Sequence, residues 1–97
     1  MTKKLPTIIW SPTAKQAYKD ILATIIEKYG VPVAVEFDDK AEEILRNIQH
    51  FNQSYPKSKK KDFHKAVIYP RTSFIYQVSK NAIEIVAVLD NRSNHDY

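Results

Sequence analysis

Ala66-Val67-Ile68, Tyr69-Pro70-Arg71-Thr72, Phe74-Ile75-Tyr76-Gln77-Val78, Lys80-Asn81 and Ile83-Glu84-Ile85-Val86-Ala87-Val88-Leu89 follow one another in the last third of the chain. Three runs rich in β-branched and aromatic residues, separated by turn-forming residues, predict an antiparallel meander. Side chains alternate across a strand. Phe74, Tyr76 and Val78 therefore share one face of the second run, opposite Ile75 and Gln77. In the third run Ile83, Ile85, Ala87 and Leu89 are set against Glu84, Val86 and Val88. Both faces are partly apolar, which predicts helices over one and leaves the other for a partner.

Working back from the meander, Thr7-Ile8-Ile9-Trp10 predicts a short first strand. Ser11-Pro12 opens a helix, because the serine hydroxyl can cap an unpaired N–H and proline at the first helical position loses no hydrogen bond. Ala14, Ala17, Tyr18, Ile21, Leu22, Ile25 and Tyr29 then recur at helical spacing, so Tyr18 and Tyr29 are expected in the core and Trp10 in the core or as its lid. Gly30, the only glycine, falls where a helix end calls for a left-handed residue. After Pro32 a second stripe follows: Val33 or Ala34, then Phe37, Ala41, Ile44, Leu45 and Ile48. The connection is too short for anything but a helical hairpin. The fold class is α+β, ordered βααβββ, with the hairpin packed on an antiparallel sheet. Residues 1–97 are read as a single domain, with a loop over 51–56.

Charge is concentrated. Lys57-Ser58-Lys59-Lys60-Lys61-Asp62-Phe63-His64-Lys65 holds five lysines and one aspartate, +5 − 1 = +4, equal to the net charge of the whole chain. Lys57, Lys59, Lys60, Lys61, Lys65 and the neighbouring His64 are therefore candidates for contact with a phosphate backbone. A solvated lysine-rich loop is the plainer reading. His64 could also serve as a general base near neutral pH. Tyr69 and Tyr76 either pack a sheet face or stack on bases.

Several chemistries are excluded. There is no cysteine, hence no disulfide framework and no thiol nucleophile. One glycine cannot build a phosphate-cradling loop. His50, His64 and His95 follow no metal-ligand spacing, and neither metal nor cofactor is expected. No apolar run approaches the roughly 20 residues that span a bilayer. The start Met1-Thr2-Lys3-Lys4-Leu5-Pro6 has no apolar core, so no secretory signal is expected and the cytoplasm is the expected compartment.

The Trp10-Ser11-Pro12-Thr13-Ala14 entry, the Phe74-Ile75-Tyr76-Gln77-Val78 strand and the Val86-Ala87-Val88-Leu89-Asp90-Asn91-Arg92 strand and turn, in that order, resemble the RelE/ParE toxins of bacterial type II toxin–antitoxin systems. The resemblance runs from about Ile8 to Asn94 and implies the βααβββ fold and a cognate antitoxin that wraps the toxin with a helix or an extended segment. RelE-like members cut mRNA on the ribosome, whereas ParE-like members inhibit DNA gyrase. A ribonuclease of this kind directs a ribose 2′-hydroxyl at the adjacent phosphate, which needs a base, an acid and cations around the pentavalent charge. Position by position, the resemblance assigns that work to Lys59, Lys60 and Lys61, to Arg92 and to the C-terminal Tyr97. RelE-like ribonucleases commonly carry an arginine early in strand 3; here Ser73 holds that place and Arg71 lies two residues earlier. Arg71, Arg92 and Tyr97 are thus the catalytic candidates of a metal-independent endoribonuclease. Two further readings are a catalytically silent antitoxin-binding module and a nucleic-acid-binding protein that uses only the lysines.

Overall fold

Ser11 organises the first third of the molecule. It follows strand β1 (Thr7–Trp10) and caps helix α1 (Pro12–Tyr29), its Oγ accepting the Ala14 N–H at 3.0 Å. The computed structural model describes residues 5–52, 55, 57, 62–68 and 72–90. Helix α1 ends at Gly30, whose N–H donates to the Ile26 carbonyl at 2.9 Å, and α2 (Val31–Phe51) begins at the next residue. Gly30 sits at φ 94°, ψ 168°. That is not the left-handed helical cap the sequence suggests but an extended positive-φ conformation open essentially to glycine alone, and it turns the chain in one residue.

The two helices bury the expected stripes with one exception at each facing end. Ala14 is buried and Ala17, Tyr18, Ile21, Leu22 and Ile25 are half-buried, but Tyr29 is 68% exposed and does not belong to the core. On α2 it is Ala34, not Val33, that turns inward, followed by Phe37, Ala41, Leu45 and Ile48.

Strands β2 (His64–Ile68), β3 (Thr72–Ser79) and β4 (Ala82–Asp90) form the expected meander, with the turn at Lys80 and Asn81. Strand order is β1-β4-β3-β2. The sheet is mixed rather than antiparallel throughout, because β1 runs parallel to β4 with Thr7 beside Ala82 and Trp10 beside Ile85. The helical hairpin supplies the long crossover that parallel strands require, delivering the chain to the far edge; the meander then fills inward.

One β-bulge reorients β4. Tyr76 faces Ile85 and Ile75 faces Ala87, so Val86 opposes no residue of β3. The extra residue shifts the alternation by one. Ile83 and Ile85 share the helix-facing side, but beyond the bulge Val88 takes the inward place, while Ala87 and Leu89, expected on the face of Ile83 and Ile85, share the outer face with Ile75 and Ser73. Ser11 latches the bulge: its Oγ donates to the Val86 carbonyl at 3.2 Å and its N–H to that of Ile85 at 3.0 Å.

Phe74, Tyr76, Ala66 and Ile68 complete the core beneath the hairpin. Trp10 meets Phe74 edge-on at 5.5 Å and Tyr18 at 5.3 Å, which bears out its role as a lid. Aromatic pairs in this geometry add about 0.5–1.5 kcal/mol each beyond area burial. Tyr18 donates to Asp38 at 2.6 Å, tying α1 to α2. Burial, then the Asp38 hydrogen bond and the charges of Asp38 and Glu42, push its phenol far above the usual tyrosine range. On the outer face Ser73 and Ile75 are also fully buried.

Candidate functional site

Three features converge at the end of the sheet where β3 begins and β4 ends. Ile21, Ile25 and Lys28 lie along one face of α1, Val33 and Phe37 lie one turn apart on α2, and Thr72 and Asp90 are register partners across β3 and β4. Together with Asp20, Thr24 and Tyr29 they line a groove of about 510 Å³. Helical spacing creates it: residues three and four apart share a face, so the last two turns of α1 and the first two of α2 form apolar walls. Its apolar lining is Ile21, Ile25, Val33 and Phe37, and Asp20, Lys28 and Asp90 add charged groups to it. Asp20 accepts from Gln16 at 2.9 Å through its carboxylate and from Thr24 at 3.0 Å through its carbonyl. Tyr29 and Val33 stand exposed at the rim and continue into Ile26, Val31 and Val35, an apolar surface around the hairpin tip.

Sequence reasoning missed this groove because it assigned Tyr29 to the core and left Val33 or Ala34 open as the start of the second stripe. A signal was present: apolar residues at 26, 29, 31, 33 and 35 surround Gly30 on more sides than a helix can turn toward one sheet.

The catalytic candidates Arg71, Arg92 and Tyr97 lie outside the described residues, as do Lys59, Lys60, Lys61 and Tyr69. Their chain neighbours are informative. Arg71 precedes Thr72 and Arg92 follows Asp90 by two residues, so the strand ends that lead to these arginines are paired at the groove mouth.

Lys57, His64 and Lys65 occupy a different place, the far end of edge strand β2. Ile68 lies four residue steps from His64, a distance of about 13 Å along a strand. Lys57 bridges His64 through an isolated antiparallel pairing, and its Nζ lies 3.7 Å from Asp62. Lys65 is half-buried opposite Ile75. His64 is not presented to a ligand. Only 5% of it is exposed, its ring stacks on Tyr76 at 5.1 Å, and its Nδ1–H donates to the Tyr55 carbonyl at 2.9 Å. Tyr76 packs the helix-facing side of the sheet, donating to the Asn52 carbonyl at 2.7 Å. Burial and the neighbouring Tyr55 hold its phenol well above the usual range. The remaining outer face carries the Gln77–Glu84 hydrogen bond at 2.8 Å.

Among the described residues no group of three histidine or acidic side chains is placed to hold a metal ion, and no helix is long and apolar enough to cross a membrane.

The family model for the ParE toxin of the type II toxin–antitoxin system parDE matches residues 8–95. No curated protein matches the sequence. Among solved structures, a chain of the chromosomal ParDE toxin–antitoxin system from P. aeruginosa is similar with a TM-score of 0.74 at 12% identity, over 89% of this chain and 96% of that one. A chain of the YoeB dimer from Staphylococcus aureus is similar with a TM-score of 0.60 at 20% identity, over 87% and 94%. At these identities the likeness is one of fold.

Proposed function

The chain belongs to the ParE toxin family and is the toxin of a type II toxin–antitoxin system, with an antitoxin as partner; we propose that it acts by binding DNA gyrase rather than by cutting mRNA. The supporting observation is Ser73. By the resemblance, Ser73 holds the place where RelE-like ribonucleases commonly carry an arginine. Here the residue is a serine, fully buried in the sheet between its register partners Val67 and Leu89. A buried serine supplies no cation to a pentavalent phosphate. His64, the candidate base, is turned inward as well.

The groove is assigned to the antitoxin. Its apolar lining suits an amphipathic segment anchored at helical spacing. Both gyrase and the ribosome are cytoplasmic, and the toxin is assigned to that compartment.

A second reading, ribosome-dependent endonuclease, is favoured by the Thr72–Asp90 pairing, which brings together the strand ends leading to Arg71 and Arg92. One experiment separates the two. Purified chain is added to a gyrase supercoiling assay with and without antitoxin, and mRNA from cells expressing the chain is mapped by primer extension. Loss of supercoiling that antitoxin relieves, with intact mRNA, is expected. New ribosome-dependent cuts with undisturbed supercoiling would overturn the gyrase assignment and make Arg71, Arg92 and Tyr97 the residues to substitute.

A further inference from the structure

Each helix of the hairpin carries a second stripe besides the one it buries. On α1 it runs Lys15, Lys19, Leu22 and Ile26. On α2 it runs Val31, Val35, Asp38 and Glu42, at the same spacings of three and four that put residues on one helix face. None of these residues lines the groove. The stripes flank the seam between the two helices, because Asp38 accepts from Tyr18 of α1 at 2.6 Å. That bond also sets the level of the antiparallel helices. With Tyr18 opposite Asp38, Ile26 stands level with Val31, Leu22 with Val35, Lys19 with Asp38 and Lys15 with Glu42. Near Gly30 the seam is apolar and open, with Ile26, Val31 and Val35 exposed and Leu22 half-buried. Farther along it is charged and divided, basic on α1 and acidic on α2. Among the described residues the ion pairs are Lys40 with Glu36 and Lys57 with Asp62, so Lys15, Lys19 and Glu42 form none within the chain.

We propose that this seam is the interface of a two-fold dimer of the chain, its symmetry axis parallel to the helices. Charge and apolar pattern select a second copy as the occupant. Such an axis lays α1 of one copy on α2 of the other at the same level, and a two-fold contact occurs twice. Ile26 then meets the partner's Val31, and Leu22 the partner's Val35. Lys19 meets the partner's Asp38, and Lys15 the partner's Glu42. Apolar groups cover apolar groups, and every cation finds an anion. A two-fold axis across the helices does the opposite: it sets Lys15 on the partner's Ile26 and Glu42 on the partner's Val31, covering charge with apolar surface at a cost. The size of the contact sets its strength. Eleven steps of helix span about 17 Å and two helices side by side about 20 Å, so roughly 340 Å² of each copy is covered. That falls short of the roughly 800 Å² per partner of a stable complex, so the dimer is weak and forms as concentration rises.

The interface is tested by sedimentation equilibrium of the full chain from about 10 to about 500 µM, where a contact of this size associates. A reversible monomer–dimer equilibrium that weakens with added salt is expected. Lys15→Glu and Glu42→Lys, both at exposed positions, bring like charges together at two symmetric contacts. Each should weaken association roughly tenfold at low salt. Mixed in equal amounts, the two variants should associate about as tightly as the parent, because each reversed charge then meets the other. Only a contact between copies gives that recovery; an effect within one chain does not. Ile26→Glu should leave the chain monomeric throughout, with urea unfolding showing that it remains folded. A parent that stays monomeric at every concentration, a dimer indifferent to Ile26→Glu, or a mixture no tighter than either variant alone would overturn the interface. So would loss of antitoxin binding in the seam variants, which would give the seam to the antitoxin. The seam shares no residue with the groove, so this outcome and that of the supercoiling assay stand apart.

Discussion

Tyr29→Ala tests the groove most directly. The side chain is 68% exposed at the rim, next to Val33 and above Ile25. A tyrosine buries about 200 Å² when fully covered, so about 140 Å² is open to a partner. At about 25 cal/mol per Å², complete coverage would contribute about 3.5 kcal/mol; a rim residue half covered by a bound segment contributes about 2 kcal/mol, roughly a 30-fold change in Kd. Because the ring lies outside the core, folding stability should move by no more than about 0.5 kcal/mol. The assay is isothermal titration of the purified variant with its cognate antitoxin, alongside urea unfolding. Tyr29→Phe, which keeps the apolar area, should bind nearly as the parent does. Glu43→Ala, on the exposed side of α2, serves as the control. An unchanged Kd for Tyr29→Ala in a folded protein, or an equal loss for Glu43→Ala, would refute the groove as the antitoxin site.

Two further outcomes concern the scaffold. Ser11→Ala removes both the α1 cap and the bond to the bulge carbonyl of Val86, and should cost about 2 kcal/mol in urea unfolding, about 1 for each. Ser11→Asp keeps the acceptor but cannot donate to Val86, so it should recover about half of that loss; full recovery would show that the bulge latch contributes nothing. At alkaline pH, Tyr18 and Tyr76 keep their protons in the folded chain while the unfolded chain releases them near pH 10. Their contribution is therefore fully present below about pH 10 and is lost as pH rises beyond it, at up to about 1.4 kcal/mol per pH unit for each tyrosine. Urea midpoints from pH 9 to 11 should fall less steeply in Tyr18→Phe than in the parent, and parallel curves would contradict this.

The features legible in the residues were those encoded over a few positions. Ser11-Pro12 begins α1 because a hydroxyl and a ring with fixed φ act on the adjacent turn, and Gly30 ends it because one residue alone must reach a positive φ. The apolar stripes, the Lys80-Asn81 turn and the βααβββ order follow from periodicities that each element carries in itself. The lysine run, too, was visible as a charge concentration, and the resemblance to RelE/ParE toxins rested on this same order of elements. For the candidate site the residues offered single side chains as chemistry but did not reveal which of them meet. His64 reads as an exposed base beside lysines; only its pairing with Tyr76 turns it into a buried strut.

By itself, then, the sequence determined where the helices and the meander strands lie, where the chain turns and where its charge is gathered, because those are consequences of local sterics, capping and period. Tertiary structure alone decided the parallel pairing of β1 with β4, the bulge at Val86 that sends Val88 rather than Ala87 inward, and the exposure of Tyr29 beside the groove. Each depends on a partner distant in the chain, as when the Ser11 hydroxyl meets the Val86 carbonyl, and a residue's own neighbours carry no record of which partner the folded chain will bring to it.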